Sequence, residues 1–344
     1  MPRRHIDETL AIVHTDEGLS GVAGGAPLPD REQLEHLLKG LDPFRTEVIR
    51  DICETVDFHG GRPWTVEVAV WDLVGRALNQ PLWQLLGGRS DRLIGYVSSG
   101  ERVAPEERVR RVTELRKAGI RAVKIRLGHQ DWGEDVEVVQ QVRSAVGGEM
   151  EIMVDANQGW RMAGDRRTPW DLATAIACAR ALERCDVYWL EEALPTWNVE
   201  GYAQLRARTS IRLAAGEMVR SLYEARDLIT RGGIDVIQPD VVLSGGIGGC
   251  RKIAAMADLC GRSFSPHTWS TGMGLLANLQ VACAVSSTPF IEVPYDPPAW
   301  SSERRDWMLP TPMRIDTDGT IQPPPGPGLG ATPDLDAIER YRIA

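Results

Sequence analysis

At 344 residues the chain is too long for one ordinary domain and suits a barrel of roughly 250 residues with a smaller module beside it. A hydrophobic share of 43% and a charged share of 25% are those of an ordinary soluble protein. The net charge of -9 argues against a nucleic-acid-binding face, which needs concentrated basic surface, but it leaves room for a small anion in a locally positive pocket.

Residues 8–26 read as a β-hairpin: TLAIVHT is strand-like, DEG turns it and LSGVAG returns. Residues 29–39 and 45–57 read as helices, and PWTVEVAVWDLVGRALNQPLWQLLGG (63–88) is the clearest helix of this half. Trp64, Val68, Trp71 and Leu78 fall near one of its faces, widened by Val66, Val70, Val74 and Ala77. A small α+β module over 1–88 is therefore expected. From LIGYVSSG (93–100) onward, short apolar runs alternate with helical ones: RAVKIRLG, EIMVDANQGW, VYWLEEALP, IRLAAGEM, DVIQPDVV, RSFSPHTW and PFIEVPY each begin a unit. Eight such units imply a parallel (β/α)8 barrel, an α/β fold, over 89–312. RMAGDRRTPWD (161–171) extends the third unit's loop and is expected to rim the mouth. The proline- and glycine-rich ending, 313–344, is expected to return toward the first module.

Six cysteines (Cys53, Cys178, Cys185, Cys250, Cys260, Cys283) stand apart without a C-x-x-C, which reads as buried free thiols in a reducing cytoplasm. No run of 18 apolar residues is present to span a bilayer, and MPRRHIDETL lacks the apolar core of a signal peptide. SGGIGG (244–249) matches no phosphate-cradling motif and reads as tight-turn glycines.

Charged and polar residues recur in one phase of the repeat, just after the strand runs: Lys124 and Arg126, Asp155 and Asn157, Glu191, Glu217, Asp240, His267 and Glu292. Intervals from Asp155 onward are 36, 26, 23, 27 and 25 residues, each enough for a helix and a strand. A barrel gathers such residues at the C-terminal ends of its strands. Asp155, Glu191 and Glu217 form a candidate oxygen-ligand set for Mg2+, with Glu192 as the competitor to Glu191; no H-E-x-x-H or Cys/His cluster favours zinc. Asp240 beside His267 suggests an oriented imidazole that serves as general base and then acid. Lys124 and Arg126 alternate so that both face the mouth, where either neutralises a substrate carboxylate. Arginine stays charged, so its role is electrostatic, whereas Lys124 is a base only if its neighbours depress its pKa. Glu292 is placed to donate to a developing oxyanion or to position substrate.

These residues, with DEGLSG, AVWDLVGRALNQPLWQLLGG, VDANQGW, WLEEALP, AAGEM, IEVPYDPP and PGPGLG, resemble the enolase superfamily, and within it the mandelate racemase branch of the mandelate racemase/muconate lactonizing enzyme-like proteins. The resemblance implies a barrel with an α+β capping domain, Mg2+ on Asp155, Glu191 and Glu217, an Asp240–His267 acid/base dyad, and a homo-oligomer between dimer and octamer. It implies Asn157 near substrate or metal, and Glu292 as a hydrogen-bonding acid. Two departures matter. Arg126 stands where that branch usually carries a second base, which weakens racemisation and favours β-elimination of water from a sugar acid, with lactone cycloisomerisation or epimerisation as the alternative. The hairpin also begins near residue 8, without the strand and mobile loop that usually precede it, so an upstream segment, a more open pocket or 161–171 is expected to account for the cover. A non-catalytic barrel that binds a metal or an acid sugar is the competing class. The expected partner is a small carboxylate, with neither nucleic acid nor membrane.

Overall fold

The computed structural model describes residues 7–28, 31–129, 131–161 and 168–342. The chain opens with an antiparallel hairpin, β1 (Thr9–His14) and β2 (Ser20–Gly25), in register Thr9 to Gly25 and His14 to Ser20. Its turn needs Gly18, whose φ of +81° is costly for a residue with a Cβ. The hairpin lies flush on the helix Trp64–Ala77: a Cβ on Gly21 would sit 2.1 Å from the Ala69 carbonyl oxygen. That helix also packs on helices Thr46–Gly60 and Gly246–Leu259, so apolar residues all round it are buried. The one-face reading of this helix was too narrow, and Leu78, placed on the face, is exposed just beyond the helix end.

Eight strands follow in a parallel ladder: β3 (Leu93–Ser98), β4 (Ala122–Arg126), β5 (Glu151–Asp155), β6 (Trp189–Glu191), β7 (Arg212–Ala215), β8 (Val236–Ile237), β9 (Ser263–Phe264) and β10 (Phe290–Pro294). β10 pairs with β3, and each strand from β3 to β9 pairs with the next, curling the sheet on itself with helices outside. The seam between β9 and β10 is bridged by Phe264 N–H to Ser287 O at 3.0 Å and by the Ser265 hydroxyl to Phe290 O at 2.9 Å. β8 and β9 are only two residues long because Pro239 and Pro266 follow shortly after and bring no N–H to a ladder.

Strand alternation builds the barrel interior in layers. Tyr96, Ala122, Met153, Trp189, Ala214, Val236 and Phe290 form an apolar plug, with Tyr96 and Trp189 edge to face at 5.4 Å. Two residues further on, the same strands carry Ser98, Lys124, Asp155, Glu191, Gln238 and Glu292. The plug thus raises a polar layer to the mouth. After β10, β11 (Thr320–Ile321) pairs antiparallel with β3, and Gly328–Ala331 then runs along the helix Trp64–Ala77: Leu329 N–H donates to Asp72 at 2.7 Å and Leu82 N–H to Gly328 O at 2.9 Å. The six cysteines are free, and all but Cys260 are buried. Among the described residues no helix is long and apolar enough to cross a membrane.

Candidate active site

The ladder register sets the site. Arg126 is opposite Asp155, and Asp155 is opposite Glu191, so acids and base-type side chains from β4, β5 and β6 share one rim. Lys124, buried beneath them, forms ion pairs with Glu191, with Glu292 at 2.8 Å and, more loosely, with Asp155 at 4.0 Å. Glu191 also accepts from the Trp189 indole at 3.1 Å and from Gln238 at 2.9 Å. Glu192 turns the other way, accepting from Gly216 N–H at 2.9 Å and lying where a Cβ on Gly159 would fall. Of the two glutamates, Glu191 is the one that faces Lys124.

Across the mouth, His267 Nδ1 is 3.0 Å from Asp240 Oδ2 and its Nε2 is 3.5 Å from Glu217. Asp240 Oδ1 is held by the Asn278 amide at 3.0 Å and Val242 N–H at 3.1 Å, so the carboxylate that orients the imidazole is itself fixed. Glu217 accepts from the Trp160 indole. Arg126 is 3.5 Å from Asp155 and stacks on Trp269 at 4.7 Å, while its buried Nε has no hydrogen-bond partner. Asn157, in the left-handed region at φ +50°, donates its backbone N–H to Asp155 at 2.8 Å and leaves its side-chain amide unpaired.

Electrostatics follow from crowding acids in a buried mouth. Burial, with Asp155, Glu292 and Glu217 nearby, lifts Glu191 to about 7 against the pull of Lys124. Burial and then Glu217 push Glu192 well above the usual carboxylate range. Burial would lower His267, but Glu217 first, then Glu292 and Asp240, raise it to about 10. Burial would likewise raise Glu292, but Lys124 and then His267 hold it down to about 2. Glu292 accepts from Thr268 N–H at 2.8 Å and pairs with Lys124 at 2.8 Å, so both of its oxygens face donors.

The expected convergence of Asp155, Glu191 and Glu217 on one point is not formed. Among the described residues no three acidic, histidine or cysteine side chains are arranged to hold a metal ion. The reason is visible: the Lys124 ammonium lies among Asp155, Glu191 and Glu292, and Glu217 is drawn to His267 and Trp160. The donor chemistry nonetheless suits a hard divalent cation. Asp155 Oδ2 is buried without a hydrogen-bond partner, and the carboxyls of Asp155, Glu191, Glu192, Glu217 and Glu292 are all buried in one mouth.

Trp160, Gln238, Asn278 and Trp269 are contacts that the strand-phase pattern did not single out. Gln238 was within reach, two residues before Asp240 on the same strand run. Asn278 also left a signal, as a lone amide in the apolar run GLLANLQVACA. Of the 161–171 extension, Arg161 and Thr168–Trp170 line the cleft beside the mouth, and 162–167 lie outside the described residues.

The enolase C-terminal domain-like family matches residues 107–337. D-galactarolactone cycloisomerase of Agrobacterium fabrum is 29% identical over 81% of this chain and 73% of its own length. D-galactonate dehydratase of Klebsiella pneumoniae is 32% identical over 78% of this chain and 73% of its own. A solved enolase-superfamily member from Polaromonas sp. JS666 superposes with a TM-score of 0.84 at 25% identity, covering 98% of this chain and 90% of that one. With its curled parallel ladder and the acids at the strand ends, the chain belongs to the enolase superfamily, among its mandelate racemase/muconate lactonizing enzyme-like members.

Proposed function

We propose that the protein is a Mg2+-dependent acid-sugar dehydratase that removes the proton α to a carboxylate and expels water from the neighbouring carbon. The observation that carries this reading is the fixed dyad: His267, oriented by Asp240 at 3.0 Å, presents Nε2 to the acid cluster, while arginine, which does not accept a proton, holds the place on β4. One face thus carries a proton acceptor. Two similar proteins act on galactose-derived acids or lactones, as a dehydratase and as a cycloisomerase.

In this reading Asp155, Glu191 and Glu217 would hold Mg2+, which would supply positive charge to favour loss of the proton α to the substrate carboxylate. With Glu217 engaged as a metal ligand, the largest of the pulls that raise His267 to about 10 would be removed, and the neutral imidazole takes that proton on Nε2. The electron pair moves into the carboxylate, then returns to form the carbon–carbon double bond as the β-hydroxyl leaves with the proton from His267. Atoms balance as enol plus water, and the enol becomes the ketone. Lys124 and Arg126 stabilise the anionic intermediate, Asn157 orients the acid, and Glu292 keeps Lys124 in place. Residues 1–88 and 313–344 serve as a cap on the barrel of 89–312 in the same proposal.

The test is solvent deuterium exchange at the α-carbon of a panel of sugar acids, with and without Mg2+, in wild type and His267→Asn. The variant should keep metal binding and lose turnover by about a hundred- to ten-thousandfold. Turnover near the wild-type rate would move the base to another residue, with Lys124 next in line. Cycloisomerisation is favoured by the Agrobacterium relative and would show as lactone consumed to an open-chain product of unchanged mass, with no water expelled.

A further inference from the structure

Beside the acid cluster lies a cleft of about 640 Å³ whose charges the proton transfer does not use. It runs between the loops after β3, β4 and β5, and its walls include Arg102, Gly128, His129, Asn157, Trp160 and Arg161. Asn157 and Trp160 are shared with the reaction centre: one donates to Asp155 and the other to Glu217. A molecule with one end at the acids therefore has this cleft for its other end.

The walls are built to present positive charge. Arg102 is exposed and makes no ion pair or hydrogen bond among the described residues. Its guanidinium lies over Gly128, where a Cβ would fall 2.6 Å from Arg102 Nε. Asp135 pins this loop, accepting from the N–H groups of Gly128 and His129, each at 2.9 Å, and meeting His129 Nδ1 at 2.6 Å. The acid on this wall is thereby engaged by three donors and leaves Arg102 without an acidic partner among the described residues. Arg161 lines the cleft on the β5 side. In a chain of net charge -9, this is a local reversal of sign.

Resting on the reading that the mouth takes the carboxylate of a sugar acid, we propose that the cleft binds a second carboxylate at the far end of the same molecule. The substrate class is then a sugar diacid. A guanidinium fork matches a carboxylate in two parallel hydrogen bonds, whereas a terminal hydroxymethyl group offers it no charge.

The experiment compares sugar diacids with mono-acids of the same hydroxyl configuration, and with mono-acids carrying a terminal phosphate. It reads kcat/KM and, by calorimetry on the Mg2+-loaded protein, Kd. Wild type should favour the diacid by roughly tenfold or more. Arg102→Met should lower the diacid-to-mono-acid ratio by about ten- to a hundredfold, in KM and Kd more than in kcat. Arg102→Lys keeps the charge but loses the planar fork, and should lower the ratio in the same direction by a smaller factor. An unchanged ratio in both variants, or a wild-type preference for mono-acids, would overturn the subsite while leaving the reaction class standing. A preference for the phosphate ester would overturn the diacid assignment. Absence of α-proton exchange with every acid would overturn the reaction class and this inference together.

Discussion

Buried carboxylates occur in two places in this molecule, and they are treated in opposite ways. Where the hairpin helix meets the barrel, each acid faces N–H donors. Glu67 accepts from Ile247 N–H at 2.8 Å, Gly248 N–H at 3.0 Å and the Trp71 indole at 2.9 Å, closing the start of helix Gly246–Leu259. Asp72 accepts from Val22 N–H at 2.9 Å, Leu329 N–H at 2.7 Å and Arg76 at 2.7 Å. At the mouth five acids crowd together, three of them around the single Lys124 ammonium. Glu191 and Glu192 are pushed up by their neighbours as well as by burial, and one oxygen of Asp155 has no donor. A buried acid ringed by amides is a joint. A buried acid ringed by other acids is poised for a cation or a proton.

That contrast can be broken by experiment. The largest effect is expected from Asp155→Asn, which should reduce kcat/KM by about a thousandfold or more while the melting temperature stays near wild type. A fall in melting temperature with activity retained would make Asp155 a joint after all. Glu67→Ala should do the reverse, costing about 3 kcal/mol of stability in denaturant titration because three donors lose their acceptor, with the activity of the folded fraction largely kept. Glu67 also gives a pH signature. Burial lifts it from 4.5 to about 7 against its donors, so the folded state binds its proton more tightly. Stability from this group is full below about 4.5 and is lost as pH rises through about 7, and the slope should vanish in Glu67→Gln. The smallest effect is expected from Glu192→Gln: burial and Glu217 already disfavour the charged carboxylate, and an amide oxygen can still accept from Gly216 N–H, so the change should stay within about 1 kcal/mol.

The positions of Lys124, Asp155, Glu191 and Glu292 were legible because strand alternation is a two-residue code that needs no tertiary knowledge. Their partners were harder to read. Trp160 reaches Glu217 across 57 residues, and nothing local marks that contact. Of the SGGIGG glycines, expected as turn residues, Gly245 at φ +90° and Gly246 at φ +67° make the turn, while Gly248 and Gly249 lie inside the helix Gly246–Leu259. Their second reason was hidden: a Cβ on Gly246 would lie 2.3 Å from the Glu67 carboxylate, which arrives from a helix far away in the chain. The expected metal trio shows the same limit, since phase places acids on a rim but does not say which cation they close around.

The helix Gly272–Ala284 is buried along its whole length and carries two amides, Asn278 and Gln280, two positions apart. Residues at that spacing point to opposite sides of a helix. Asn278 grips the carboxylate behind His267, while Gln280 accepts from Trp83 N–H at 2.7 Å and donates to Leu329 O at 2.9 Å. One rigid rod therefore couples the aim of the imidazole to the docking of the C-terminal strap, and loosening that strap far from the mouth should register in turnover as well as in melting.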